Sequence, residues 1–193
     1  MFDHDEYIEE VFQSLEIEGA LNSGILFEGC RFENCHFNNV AFKNTHFENC
    51  VFTTCSIILP DMSNTILDDV FFYDCKIVGC NFSVINNFNT ALKFDNSKLV
   101  TCSFVNIDIR NTSFSNAVID DTLYRDCNLM NSNFENVQFR MTTFALNDLR
   151  KANFKNASGF QIDPCGNKLK GASFSALSAL ELLKQFEIKI MAS

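Results

Sequence analysis

A large apolar residue recurs at every fifth position through most of this chain. From Phe27 the steps run Phe32, Phe37, Phe42, Phe47, Phe52, Ile57, Met62, Leu67, Phe72, Ile77 and Phe82. From Phe94 they run Leu99, Phe104, Ile109, Phe114, Ile119, Tyr124, Leu129, Phe134, Phe139, Phe144, Leu149 and Phe154. Neither the helical repeat of about 3.6 residues nor the strand repeat of about two generates this period. A short extended piece followed by a turn does.

The flanking positions agree. Two residues before each centre stand small or weakly polar side chains, such as Cys30, Cys35, Val40, Thr45, Thr112, Ala117 and Ser132. Strand alternation points these to the same side as the centre. Two residues after it, Asn and Asp dominate, as in Asn34, Asn39, Asn44, Asp69, Asp74, Asn116 and Asn131. Those side chains tolerate turn conformations and bond their own backbone there. One such side is too short to bury anything, so the sides must stack into coils around a shared apolar core. Seventeen of the 22 Phe lie on the two registers once Phe12 and Phe174 are included.

Stretches such as CRFEN, CHFNN, TSFSN, SNFEN and ANFKN carry a recognisable pattern. Ser, Thr, Ala or Val is followed by Asp or Asn, Leu or Phe, Ser, Thr or Arg, and then Gly, Asn or Asp. From Phe27 to Phe174 the chain resembles the pentapeptide-repeat proteins. The resemblance implies an all-β fold, a right-handed quadrilateral β-helix with four five-residue sides per coil. About 25 sides then make roughly six coils, a rod about 30 Å long at the usual strand spacing. The repeat domain spans 1–174, with 1–26 as an N-terminal cap or first irregular coil. Residues 175–193 form a helix and strand that cap the rod.

The tail GFQIDPCGNKLKGASFSALSALELLKQFEIKI is similar to the ends of the quinolone-resistance and microcin-immunity members. Asp163, Pro164, Asn167, Leu182, Leu183, Phe186, Ile188 and Ile190 sit at the matching places. The resemblance implies a rod-shaped homodimer joined at its C-terminal ends, acting on DNA gyrase or topoisomerase IV by mimicking duplex DNA. Leu177, Leu180, Leu183, Phe186, Ile188 and Ile190 are the dimerisation candidates. Ser178 and Glu181 form one capping box for the helix, and Ser175 offers a second cap. Ile188 and Ile190 alternate as in an edge strand.

The register changes once. Centres end in 2 or 7 up to Phe82 and in 4 or 9 from Phe94, so two residues are inserted within Ser83–Lys93. That break, on which Phe88 fits neither register, is a functional loop or a structural kink. Residues Ala157–Lys168 keep phase but lose the plugs, with Gly159 and Pro164 in their places.

Eight of the nine Cys (all but Cys165) hold the small inward position. With twenty residues per coil, Cys35, Cys55 and Cys75 share one column and Cys30 and Cys50 another. Zinc spacing is absent, and stacked parallel side chains have poor disulfide geometry. Structural thiols are expected, with no metal, cofactor or catalytic residue and no enzyme activity. The N-terminus MFDHDEY lacks a signal peptide's basic and apolar regions, and no run approaches a membrane span. A cytoplasmic protein is expected.

Net charge is −9, which disfavours direct binding to nucleic acid and suits a basic partner. It is unevenly placed. Residues 1–75 carry 14 acidic and two basic side chains, net −12, whereas residues 136–193 carry four and eight, net +4. Glu28, Glu48 and Asp68 each follow a centre and lie twenty apart, which places them in one vertical line. Like charges about 4.8 Å apart cost about 0.9 kcal/mol per pair even in bulk water. The line is either a partner-binding feature that resembles a run of phosphates or drift toward a soluble surface. With Asp69 and Asp74 it forms the candidate partner surface. Outward Ile58, Leu59 and Val78 suggest the alternative, a scaffold that presents an apolar patch to an unrelated protein.

Overall fold

The computed structural model describes residues 2–20, 24–87, 90–183, 186, 188, 189 and 191. Strands of mostly three residues alternate with two-residue corners, and each strand pairs in parallel with the one a coil later. Leu26 pairs with His46, Arg31 with Val51 and His36 with Ser56, all twenty residues apart. The result is a four-sided β-solenoid of about eight turns with one short helix. The expectation of roughly six coils fell short because a further coil lies at each end, one wound before Phe27 and one running from Phe154 to Phe174. Strands Glu6–Ile8, Val11–Gln13 and Glu16–Ala20 already form sides, and Tyr7, Phe12 and Ile17 stack under Phe27, Phe32 and Phe37.

Four columns of plugs fill the interior. The first face contributes Tyr7, Phe27, Phe47 and Leu67, then Ile109, Leu129 and Leu149 beyond the break. The second face is all phenylalanine: Phe12, Phe32, Phe52, Phe72, Phe94, Phe114, Phe134, Phe154 and Phe174. Successive rings lie stacked, with centroids 4.5 to 5.2 Å apart. The third column runs Ile17, Phe37, Ile57, Ile77, Leu99, Ile119 and Phe139. The fourth runs Phe42, Met62, Phe82, Phe104, Tyr124 and Phe144. Rings on the opposed second and fourth faces meet edge-on across the interior, as Phe94 does Phe104 and Phe114 does Tyr124. That is a favoured arrangement of aromatic quadrupoles. At the N-terminal end Phe2 meets Tyr7, Phe12 and Phe27 edge-on and closes the core.

The corners explain the Asn and Asp. Nearly every fifth residue has positive φ, from Glu9 to Asn156, including Asn34 (53°), Asn64 (57°) and Asn131 (58°). This left-handed region is open to Gly and tolerated by Asn and Asp. Asn side chains add a ladder along the edges: Asn64 donates to Asn44 at 2.9 Å, Asn136 to Asn116 at 2.9 Å and Asn156 to Asn136 at 3.1 Å.

The break is placed by register. Ile66 still pairs with Asn86, twenty residues on, but Val70 pairs with Leu92, Lys76 with Lys98 and Asn81 with Ser103, all twenty-two on. The two extra residues therefore lie between Asn86 and Leu92, on the first face only. Asn87 is exposed where a plug would stand, and Phe88 lies outside the described residues. The phenylalanine ladder runs on undisturbed, with Phe72 and Phe94 stacked at 5.2 Å.

A second irregularity sits near the C-terminal end. Ser158 pairs with Gln138, but Gln161 pairs with Thr143, eighteen residues away. The lost residues return in the turn at 163–167, where Cys165 N and Asn167 N both donate to Asp163. Helix α1 (Ala176–Leu183) follows the last side. Its cap is Ser175, whose Oγ accepts from Ser178 N at 3.3 Å. Ser178 is buried and donates to Ala157 O at 2.8 Å, so it ties the helix to the rod rather than capping it. No strand follows α1 among the described residues. Ile188 lies outside any strand, and Ile190 lies outside the described set.

The eight inward Cys are buried and free, and Cys165 is exposed. The column of Cys35, Cys55 and Cys75 forms a ladder: Cys35 N donates to Cys55 Sγ and Cys55 N to Cys75 Sγ, both at 3.4 Å. The thiols in turn donate to backbone carbonyls, as Cys50 does to Phe27 O at 3.2 Å and Cys127 to Phe104 O at 3.1 Å. Burial pushes the Cys50 thiol up to about 12 and those of Cys102 and Cys127 up to about 11. Since the thiolate is the reactive form, a thiol-specific reagent at neutral pH should modify Cys165 alone in native protein and all nine Cys after denaturation. Fast modification of two or more under native conditions would contradict the buried ladders.

One plug is polar. Tyr124 is fully buried and its hydroxyl has no hydrogen-bond partner. An unpaired buried hydroxyl costs about 1–3 kcal/mol. Tyr124→Phe should therefore raise the thermal midpoint, and a lowered midpoint would show that the hydroxyl is satisfied.

Candidate partner-binding surface

Five-residue sides leave two side chains per strand facing outward, one on each flank of the plug. Parallel stacking then turns a single outward position into a line along the rod. On the first face Glu28 is in register with Glu48, and Glu48 with Asp68. The carboxylate line expected from spacing is thus brought together on consecutive strands. His46 lies on the same strand as Glu48, with Nε2 3.9 Å from Glu48 Oε2. Asp69 and Asp74 occupy the two corners of the next side, with φ of 49° and 53°, and both are exposed.

Beyond the break the same outward position on the first face changes sign. It holds Arg110, Met130 and Arg150, one coil apart. Arg110 makes a two-pronged pair with Asp108 two residues earlier, and Arg150 repeats this with Asp148 at 2.6 Å. Arg150 Nη2 also reaches Met130 Sδ at 3.4 Å. The guanidinium beside each aspartate holds its carboxyl below the usual range. That stabilisation is complete above the ordinary aspartate range and is lost as pH falls through the lowered values. These pairs neutralise much of the local positive charge, so the face is acidic before the break and close to balanced after it.

The third face carries an apolar line. Ile58 is in register with Val78, and Val78 with Val100. Leu59 follows at the corner, 56 % exposed and with φ of 49°. Gly79 occupies the same corner one coil later, where an added Cβ would lie 2.4 Å from Leu59 Cδ2. The outward patch read from Ile58, Leu59 and Val78 is therefore real and extends to Val100.

At the C-terminal end Leu177 is 80 % exposed, and Leu180, Phe186 and Ile188 are also exposed, while Leu182 packs against the core. Leu183 is partly buried. Among the described residues no group of three or more His, Cys, Asp or Glu is placed to hold a metal ion, and no helix is long and apolar enough to cross a membrane.

Sequence reasoning passed over Phe71 and Tyr73. Both flank the plug Phe72 and face outward on the second face; Phe71 is partly buried and Tyr73 is 46 % exposed. The rule that places Glu28 outside places them outside too, but within VFFYD they read as core.

A four-sided solenoid wound in five-residue steps, with its chemistry on outward lines of side chains, defines a class of protein. A family model for the pentapeptide repeat region matches residues 25–99 and 87–154. The chain belongs to the pentapeptide-repeat family. A search of curated proteins gave no match. Among solved structures, a trypsin-treated variant of QnrB1, described as a plasmid-mediated fluoroquinolone resistance protein, is similar with a TM-score of 0.62 and 15 % identity. The match covers 97 % of this chain and 99 % of that one. Full-length QnrB1 gives a TM-score of 0.57 at 14 % identity, covering 95 % and 100 %. At this identity the likeness is one of fold.

Proposed function

We propose that this protein is a non-catalytic binding protein that engages a type II topoisomerase, DNA gyrase or topoisomerase IV, in place of DNA. It modulates the enzyme or protects it from quinolones or a gyrase-targeting toxin. The observation that carries this reading is the in-register line Glu28, Glu48 and Asp68 in a segment of net charge −12. The fold tolerates the mutual repulsion and gains nothing from it, whereas a basic DNA-binding surface would be attracted to it. The fold shared with QnrB1, a fluoroquinolone resistance protein, supports the same reading. The exposed apolar side chains of Leu177, Leu180, Phe186 and Ile188 support a homodimer joined at the C-terminal end.

Gyrase supercoiling and DNA-cleavage assays, with and without a quinolone, test the function. Wild type at micromolar dimer should change at least one activity, and Glu28→Gln with Glu48→Gln should weaken the effect. No effect of wild type would reject the reading. The Ile58, Val78 and Val100 line supports a second reading, a scaffold for an unrelated protein. Loss of a pull-down partner in Val78→Asp, with gyrase unaffected by wild type, would favour it.

A further inference from the structure

The stretch Asp68–Asp74 turns five of its seven side chains outward, and only Val70 and Phe72 are buried inward. Asp68 ends the first face, Asp69 holds the corner, Phe71 and Tyr73 stand on the second face, and Asp74 holds the next corner. The carboxylates of Asp69 and Asp74 make no ion pair among the described residues. Two outward aromatic rings thus lie between unpaired acids, immediately before the break in the rod.

A surface that only imitates phosphates needs charge and has no use for aromatic rings. Exposed Tyr and Phe beside carboxylates fit a different ligand. A guanidinium is planar, stacks on aromatic faces and forks its N–H donors onto carboxylates, whereas an ammonium is a compact point charge. The molecule already seats a cation on one of these rings: Lys93 Nζ lies 3.7 Å from the centroid of Phe71. The ring of Tyr73 carries no such partner among the described residues.

We infer that this patch is the energetic centre of the partner interface and that it takes an arginine side chain of a partner protein. The guanidinium stacks on Tyr73, with Asp74 beside it and Asp69 across the face supplying the countercharge. Tyr and Arg are the residue types that dominate such centres. The identity of the partner rests on the topoisomerase reading, but the chemistry of the patch does not.

Two probes separate the two claims: the DNA-gate domain of the gyrase A subunit, and the peptide acetyl-Gly-Arg-Gly-Arg-Gly-amide with its lysine analogue. Each is titrated into the full chain, by calorimetry for the domain and by NMR shifts for the peptides. Tyr73→Ala should weaken both the domain and the arginine peptide roughly tenfold. Tyr73→Phe should keep most of the affinity, and the lysine peptide should bind more weakly than the arginine one. Because Tyr73 is outward, a thermal midpoint like wild type should accompany the loss. Unchanged domain affinity in Tyr73→Ala, equal binding of the two peptides, or no binding of either probe to wild type would overturn the assignment. If the gyrase domain fails to bind while arginine-peptide binding depends on Tyr73, the topoisomerase reading falls and the patch stands.

Discussion

Phe114→Ala should destabilise the rod by about 3–5 kcal/mol, read as a lower urea midpoint with little change in slope. Phe114 is fully buried and lies stacked between Phe94 at 5.2 Å and Phe134 at 5.0 Å, with Phe104 and Tyr124 edge-on. Truncation removes a ring from the middle of the continuous ladder, and the rings above and below are held by their own strands. The gap therefore has little means of collapse, which puts the loss at the high end for a buried side chain. Phe71→Ala is the matched comparison: an outward phenylalanine of the same coil type should change stability by under about 1 kcal/mol. Similar losses at both positions would show that the inward and outward assignment is wrong.

Gly159→Ala should cost about 3 kcal/mol. Gly159 has φ of +75°, and an added Cβ would lie 2.2 Å from Phe139 O and 3.2 Å from Phe139 C, which are backbone atoms rather than the end of a flexible side chain. The left-handed backbone contributes roughly 1–2 kcal/mol and displacement of the carbonyl about 1–3 kcal/mol. Gly171→Ala separates these terms. Its φ is +77°, but the nearest atom is the side-chain Cγ of Lys151 at 3.4 Å, so only the backbone contribution applies. Because Gly159 marks the shortened register under α1, amide exchange in Gly159→Ala should rise first in the last coil and helix. Equal midpoints for the two variants would remove the close approach to Phe139 from the account.

The interior of this protein was legible because each position answers one question. The period names the plugs, the residue two before them must be small, and the residue two after them must accept positive φ. Cys30, Cys35, Cys50 and Cys55 thus belong to buried columns, and Asn34 and Asn131 to corners, on the sequence alone. The ends were less legible because they obey other rules. Tyr7, Phe12 and Ile17 read as either a cap or a first irregular coil, since Glu9, Glu10, Ser14 and Leu15 occupy positions that Asn and Cys take elsewhere. The helix cap turned on a contact between Ser178 and Ala157, twenty-one residues away and invisible to local patterning. The carboxylate line was found because its members are of one type at one spacing. The Phe71 and Tyr73 patch was missed because an outward aromatic among inward ones has the composition of core.

Each strand meets its partner one coil away, about twenty residues on, and this fixes more than shape. In a chain of 193 residues such pairing gives a relative contact order of about 0.1, in the range of helical bundles and well below that of β-sandwiches. No coil has to wait for the far end of the chain, so folding can start at any pair of coils and zip outward, and a lesion in one coil stays close to home. The rod is an all-β protein with the search problem of a helical one.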